Sequence, residues 1–258
     1  MLIEQTLYGE IDKVKTAIER LKTFEPEEGY WLADSGGKDS CVILALAKMS
    51  GVKFEAHHNL TTIDPPELVR FVMEQHKETI IDRPDIPFLK MLPVRGFPQR
   101  QSRWCCAVYK EGGGAGRRVI TGIRWGESTK RAGRRMVEVC MTDKTKAFIH
   151  PIIDWLDEDV WEFIRTRNIP YCKLYDEGNK RIGCLFCPMA SRQRLKDHDR
   201  YPRFVKLYIR AFEQLYADRL AKGSESIKRW KSGKEMFYWW LKEDRTGIDN
   251  PDQTVMFE

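Results

Sequence analysis

Three stretches of the 258-residue chain carry side chains whose types and spacing suit chemistry. The first is Ser35-Gly36-Gly37-Lys38-Asp39-Ser40, set between the apolar run Tyr30-Trp31-Leu32-Ala33 and the apolar stretch Cys41 to Met49. Two glycines permit a tight turn and close backbone approach, and successive N–H groups at a helix N-terminus make a nest for phosphate oxygens. Ser35 and Ser40 add hydroxyl donors, Lys38 adds a cation, and Asp39 suits either Mg²⁺ or a helix cap. The spacing of a Walker A loop is absent. The second stretch is Thr121-Gly122-Ile123-Arg124, followed by Glu127, Ser128, Arg131 and Arg134. A strand ending at Gly122 would set Arg124 at the carboxyl edge of a sheet, where α/β folds bind ligands and where a guanidinium can grip phosphate or sulfate with two parallel donors. The third is the set Cys105-Cys106 and Cys184-Leu185-Phe186-Cys187. Two pairs from distant segments can bring four thiolates to one metal. Zinc usually spaces both of its pairs, so the adjacent cysteines count against it. An iron–sulfur cluster, zinc and buried or redox-active thiols are the alternatives.

The elements that must position these residues alternate in type. Ile11, Val14, Ala17, Ile18 and Leu21 recur at helical spacing, so the chain opens with an amphipathic helix. Strand, glycine turn and helix then follow in order through the Ser35–Ser40 segment. Phe54 to Leu60 reads as a second strand, and Asp64-Pro65-Pro66-Glu67 reads as a helix start with Asp64 as cap, the helix running from Pro66 to Glu78. Thr79 to Asp82 is a strand, followed by a loop containing Pro84, Pro87, Pro93 and Pro98; Val119 to Gly122 is a strand and Asp157 to Arg167 a helix. Gly112-Gly113-Gly114-Ala115-Gly116 precedes a strand instead of following one, which excludes a dinucleotide fingerprint and leaves a flexible loop. The pattern predicts an α/β fold, a parallel twisted sheet with helices on both faces, with a helical C-terminal region. The units are an N-terminal helix over 1–27, a nucleotide-binding unit over 28–190 and helices over 191–258. Met236-Phe237-Tyr238-Trp239-Trp240-Leu241 is expected to pack against the sheet domain, with a base-stacking surface as the alternative.

Composition narrows the classes. With 42% hydrophobic and 32% charged residues and a net charge of +6, the chain is too apolar for disorder. Its apolar residues are too dispersed for a membrane helix. Met1 to Arg20 lack the apolar core and cleavage site of a secretory signal, so a cytoplasmic location without membrane association is expected. In that compartment seven cysteines are thiols or metal ligands, not disulfides. Cys41, Cys140 and Cys172 are expected to be small buried residues, with a sulfur-relay role as the alternative for Cys172. Between Arg95 and Lys146 there are 13 Lys/Arg against 4 Asp/Glu, or +9, and the rest of the chain sums to −3. That stretch suits a phosphate-bearing partner, a nucleotide or a nucleic acid.

These motifs together resemble the phosphoadenylylsulfate and adenylylsulfate reductase-like family of the PP-loop ATP pyrophosphatase superfamily, over about residues 28 to 190. The resemblance rests on SGGKDS, the Thr61 to Glu67 segment, Cys105-Cys106 followed by Lys110, Thr121 to Arg124, and His150-Pro151-Ile152-Ile153-Asp154-Trp155 followed by Asp159-Val160-Trp161. It implies an adenine nucleotide held by Ser35, Gly36, Gly37, Lys38, Asp39, Ser40, Gly122, Arg124, Arg131 and Arg134, with chemistry at the α-phosphate in which Lys38, Asp39 and Arg124 take part. It also implies that Cys105, Cys106, Cys184 and Cys187 hold a [4Fe–4S] cluster whose charge Lys110 offsets. A sulfonucleotide reductase attacks with a cysteine in a C-terminal tail, whereas this chain has no cysteine after Cys187. The expectation is therefore an ATP- and Mg²⁺-using enzyme of sulfur transfer. Such an enzyme would be similar to the ATP pyrophosphatase components of DNA phosphorothioation systems or to some tRNA thiolases, with a sulfur donor such as a cysteine desulfurase. The alternatives are a reductase relative using adenylylsulfate or phosphoadenylylsulfate with an unusual nucleophile such as Cys172 or a partner protein, and a nonenzymatic module that binds nucleic acid or assembles a complex.

Overall fold

The structure, a computed structural model, describes residues 1–7 and 9–243. In chain order its elements are β1 (Ile3–Thr6), β2 (Gly9–Asp12), α1 (Lys13–Thr23), β3 (Tyr30–Ala33), α2 (Lys38–Ser50), β4 (Phe54–Asn59), α3 (Pro66–Gln75), β5 (Ile80–Asp82) and α4 (Phe88–Arg95). There follow α5 (Trp104–Tyr109), β6 (Arg118–Ile120), α6 (Thr129–Ala132), β7 (Val137–Val139), β8 (Ala147–Ile149), α7 (Asp157–Thr166), α8 (Ser191–Arg200), α9 (Pro202–Ala221) and α10 (Gly233–Glu243).

Local chemistry sets the boundaries. The Asp12 carboxylate accepts from the Val14 and Lys15 N–H groups at 2.9 and 3.0 Å, so α1 starts at Lys13. Ile11, which the helical spacing places in that helix, instead pairs with Glu4 in the β1–β2 ribbon. Asp64 does not cap α3: the helix begins at Pro66, and the Asp64 carboxylate accepts the Thr61 N–H at 2.7 Å. The proline-rich stretch expected as loop contains α4, because Phe88 and Leu92, four residues apart, bury one face at 1% and 0% exposure. Pro93 lies within this helix and offers no N–H to Leu89 O, and the helix ends two residues later, before Gly96.

The main sheet has the order β5-β4-β3-β6-β8-β7 and is parallel except for β7, which runs antiparallel to β8 at the edge. Helices cover both faces. From β3 the chain steps outward through β4 to β5 on one side, and after α4 and α5 it returns to β6 on the other side of β3. The carboxyl ends of β3 and β6 therefore flank the point where the strand order reverses, the crevice in which open α/β sheets bind ligands.

The core has two main parts. Leu32, Ile120 and Ile149 of the sheet pack with Ala17 and Leu21 of α1, Val42 and Ile43 of α2, and Val160 and Phe163 of α7. Separately, Tyr208 and Phe212 of α9 and Phe237 and Trp240 of α10 pack with Phe88 and Leu92 of α4 and with Leu185 and Phe186. The aromatic run 236–241 thus serves a core, as its composition predicts. Its partners are α9, α4 and the segments that bear the cysteines, not the sheet. No described helix is long and apolar enough to cross a membrane.

Candidate functional site

The Ser35–Ser40 segment turns from the end of β3 into α2. Gly36 has φ +70°, and a Cβ there would stand 2.6 Å from Val72 Cγ2, so both conformation and space require glycine. Buried Asp34 shapes the turn from below. Its Oδ1 accepts the Gly36 N–H at 2.9 Å, and its Oδ2 accepts from His76 Nδ1 at 2.6 Å and from Thr79 Oγ1 at 2.9 Å. Burial would push the Asp34 carboxyl up, but these donors, His76 first, hold it below its ordinary value. The Ser40 hydroxyl donates to Gly37 O at 2.8 Å, and Ser35 Oγ lies 3.2 Å from Ser40 Oγ. Gly37, the residue before α2, makes no side-chain cap, and the Lys38 N–H donates to the Tyr175 hydroxyl at 2.9 Å.

Above the helix start lies a cluster of four charges. Lys38 Nζ is 3.2 Å from Asp39 Oδ2 and 3.0 Å from Asp157 Oδ1. Arg124 Nε is 2.7 Å from Asp39 Oδ1, its Nη2 is 2.9 Å from Asp157 Oδ1, and its Nη1 donates to Trp155 O at 3.3 Å. Desolvation opposes the charged form of both Arg124 and Asp157. The carboxylates nonetheless raise Arg124, and Lys38 and Arg124 hold Asp157 below the ordinary carboxylate range. Gly122 approaches Asp39 closely, a Cβ there standing 3.0 Å from the Asp39 backbone, so the end of β6 meets the start of α2. Lys38, Asp39, Gly122 and Arg124 are therefore brought together. Arg131 and Arg134 are not in the cluster: each pairs within its own segment, with Glu127 and with Glu138. Glu138 also lies 3.3 Å from His150 Nε2.

Asp157, Tyr175, Asp34, His76 and Thr79 escape a motif reading. Asp157 carried a usable signal, an acidic run at a helix start, eight residues beyond the carboxyl end of β8. Tyr175 and His76 carried none, since their places depend on packing across long sequence separations.

The four paired cysteines line one cavity. Cys105 and Cys106 come from α5, and Cys184 and Cys187 from the turn after Ile182; Thr61, Lys110, Leu185 and Tyr208 share the wall. The Cys184 thiol donates to Thr61 Oγ1 at 3.5 Å, and Arg103 Nη1 lies 3.9 Å from Cys106 Sγ. A hydrogen bond from Cys105 lowers the Cys106 thiol and raises that of Cys105, and Arg103 and Lys110 add to the lowering at Cys106. Burial works against the Lys110 ammonium, but Cys184, Asp64 and Cys187 raise it above the ordinary lysine value. Four thiols, a neighbouring cation and apolar walls match the donor chemistry of an iron–sulfur site. In geometry, among the described residues no group of three or more His, Cys, Asp or Glu side chains is set to hold a metal ion.

Cys41 and Cys172 are buried, at 1% and 0% exposure, as expected. Cys140 is only partly covered, because it follows edge strand β7, and its Sγ lies 3.3 Å from Thr142 Oγ1. The glycine segment 112–116 packs where a flexible loop was expected. Gly114 has φ +72° with Trp31 and Val119 against it, and Lys146 Nζ donates to Glu111 O at 2.9 Å and also to Gly113 O. The tail Asp252 to Glu258 lies outside the described residues.

Comparison with known proteins places this geometry in context. An uncharacterised protein of Methanocaldococcus jannaschii is 29% identical over 210 residues, covering 76% of this chain and 50% of that protein. The adenosine 5′-phosphosulfate reductase of Allochromatium vinosum is 33% identical over 134 residues, 46% of this chain and 51% of that protein. The chain spans about half the length of these curated relatives. Among solved structures, the phosphoadenylyl-sulfate reductase of Candida auris in a phosphate complex matches with a TM-score of 0.51 and 20% identity, covering 66% of this chain and 88% of that one. This likeness is one of fold. Residues 29–190 match the phosphoadenosine phosphosulfate reductase domain, and the chain belongs to that family.

Proposed function

We propose that the protein is an adenylating PP-loop enzyme that uses ATP with Mg²⁺ in sulfur transfer. The observation that carries this reading is the convergence of Lys38 and Arg124 at the start of α2, beside the glycine turn at the sheet's switch point. In the reaction an acceptor oxygen attacks the α-phosphorus, the bond to the β-phosphate oxygen breaks, and pyrophosphate leaves. A sulfur nucleophile then replaces the adenylated oxygen, with AMP as leaving group. Ser35, Ser40, Lys38 and Arg124, at the positive end of α2, neutralise the departing pyrophosphate, stabilising charge where it develops. Mg²⁺ bound to the polyphosphate supplies further neutralisation, and Asp39 would hold it. Cys105, Cys106, Cys184 and Cys187 would hold the [4Fe–4S] cluster. A cysteine desulfurase-type protein as donor and a nucleic acid as acceptor complete the reading.

The second reading is reduction of a sulfonucleotide, and the resemblance to adenosine 5′-phosphosulfate reductases favours it. One assay separates the two. Anaerobically purified protein is incubated with ATP, Mg²⁺ and nucleic acid as the acceptor, and separately with adenylylsulfate or phosphoadenylylsulfate and a thiol reductant. Pyrophosphate release is expected, and release of sulfite alone would transfer the assignment to the second reading. Lys38→Ala should lower pyrophosphate release by about 100-fold or more, the scale of losing one charge-stabilising donor. Undiminished turnover in that variant would remove the loop from the reaction.

A further inference from the structure

Of the four charged side chains above α2, three are well covered: Lys38 is 8% exposed, Arg124 4% and Asp39 21%. Asp157 alone is open to solvent, at 55%. Asp39 is a chain neighbour of Lys38 on α2, whereas Asp157 reaches the site from the first residue of α7. Its Oδ1 bridges Lys38 Nζ at 3.0 Å and Arg124 Nη2 at 2.9 Å. One anionic oxygen between a lysine and an arginine, at the start of a helix with no side-chain cap, is the arrangement a phosphoryl oxygen would adopt.

We propose that Asp157 is the internal counter-anion of this phosphate subsite, occupying the two cations until a phosphoryl group replaces it. The proposal rests on the nucleotide reading of the loop. With Asp157 in place the cluster holds two positive and two negative charges, so an entering phosphate meets a neutral site. When Asp157 turns outward into solvent, Lys38 and Arg124 outweigh Asp39 by one charge and can take the anion. The carboxylate thereby satisfies two nearly buried cations, and it weakens the binding of every anion that must displace it.

The test is titration calorimetry with inorganic pyrophosphate, and separately with ATP, in the absence of divalent cations. Asp157→Asn preserves size and removes the charge. It should bind pyrophosphate about threefold to tenfold more tightly than wild type, the scale of one partly exposed ion pair per cation. Asp157→Glu, which keeps the charge, should stay within about twofold of wild type. Asp157→Ser is the second neutral variant should the asparagine protein fold poorly, and it should also bind more tightly. Binding by wild type that is unchanged or weaker in the neutral variants would overturn the counter-anion role while leaving the nucleotide site intact. Absence of binding in wild type and variants alike would overturn both.

Discussion

Asp34 illustrates how much of the Ser35–Ser40 turn depends on a residue outside its motif. Its side chain is fully buried and satisfies three donors: the Gly36 N–H within the turn, His76 after α3 and the Thr79 hydroxyl before β5. Asparagine at this position keeps one acceptor oxygen and turns an NH₂ toward donors. Asp34→Asn should therefore lower stability by roughly 1–3 kcal/mol for each donor left unpaired, measured by denaturant unfolding at neutral pH. The pH dependence follows from the lowered carboxyl pKa of the folded protein. A depressed folded value means that the stabilisation is complete above the unfolded aspartate value of about 3.9 and is lost as pH falls from there through the folded value. The stability gap between wild type and Asp34→Asn should close with acidification below about pH 4. A gap constant down to strongly acid pH would show that the charge of Asp34 does not contribute. The glycines, Lys38 and Asp39 were legible because their chemistry is local. Asp34 was not, because its partners lie 42 and 45 residues away.

At the scale of elements, the helices after residue 190 form part of the wall behind the cysteines. Phe186, between Cys184 and Cys187, has its ring centroid 4.8 Å from that of Tyr208 on α9 and 6.1 Å from that of Phe237 on α10. Phe237 is 0% exposed and also meets Phe212 at 5.5 Å. Helical periodicity and aromatic content made α9 and α10 legible as packed helices. Their partner was not legible, since the α4 face they cover hides in a stretch that four prolines mark as loop, although Phe88 and Leu92 stand at helical spacing within it. Phe237→Ala should cost about 3–5 kcal/mol, the range for removing a large buried aromatic. The loss should be felt at the cysteine turn. If the four cysteines hold the proposed cluster, iron and sulfide bound per chain after anaerobic reconstitution should fall in Phe237→Ala at temperatures where its sheet core is still folded by circular dichroism. Full iron and sulfide loading at those temperatures would show that the cysteine cavity is independent of the C-terminal helices.

For the whole molecule, the question is what the uneven charge does. Counting along the chain concentrates +9 between Arg95 and Lys146, but a count cannot see pairing. Folding commits much of that charge internally: Arg117 to Glu55, Arg118 to Phe24 O, Arg124 to Asp39 and Asp157, Arg131 to Glu127, Arg134 to Glu138, and Lys146 to backbone carbonyls. Six of the thirteen cations are thus held by partners within the fold, and position in the fold decides which charges matter at the start of α2. β8 runs parallel to β6, so the turn from Cys140 to Lys146 that leads into it lies at the amino edge of the sheet, opposite the Ser35–Ser40 turn. Lys144, exposed in that turn, is also displaced sideways: β7 and β8 are the two strands beyond β6, and β7 stands about 14 Å from β3 at ordinary strand spacing. At physiological salt the screening length is about 8 Å, so a charge there contributes little to the field at α2. Lys144→Glu should leave pyrophosphate affinity within about twofold of wild type at physiological salt, where two units of charge change beyond the screening length are nearly silent. If affinity instead falls tenfold, anion capture depends on the summed field of the basic segment, and the four-charge cluster is not its main determinant.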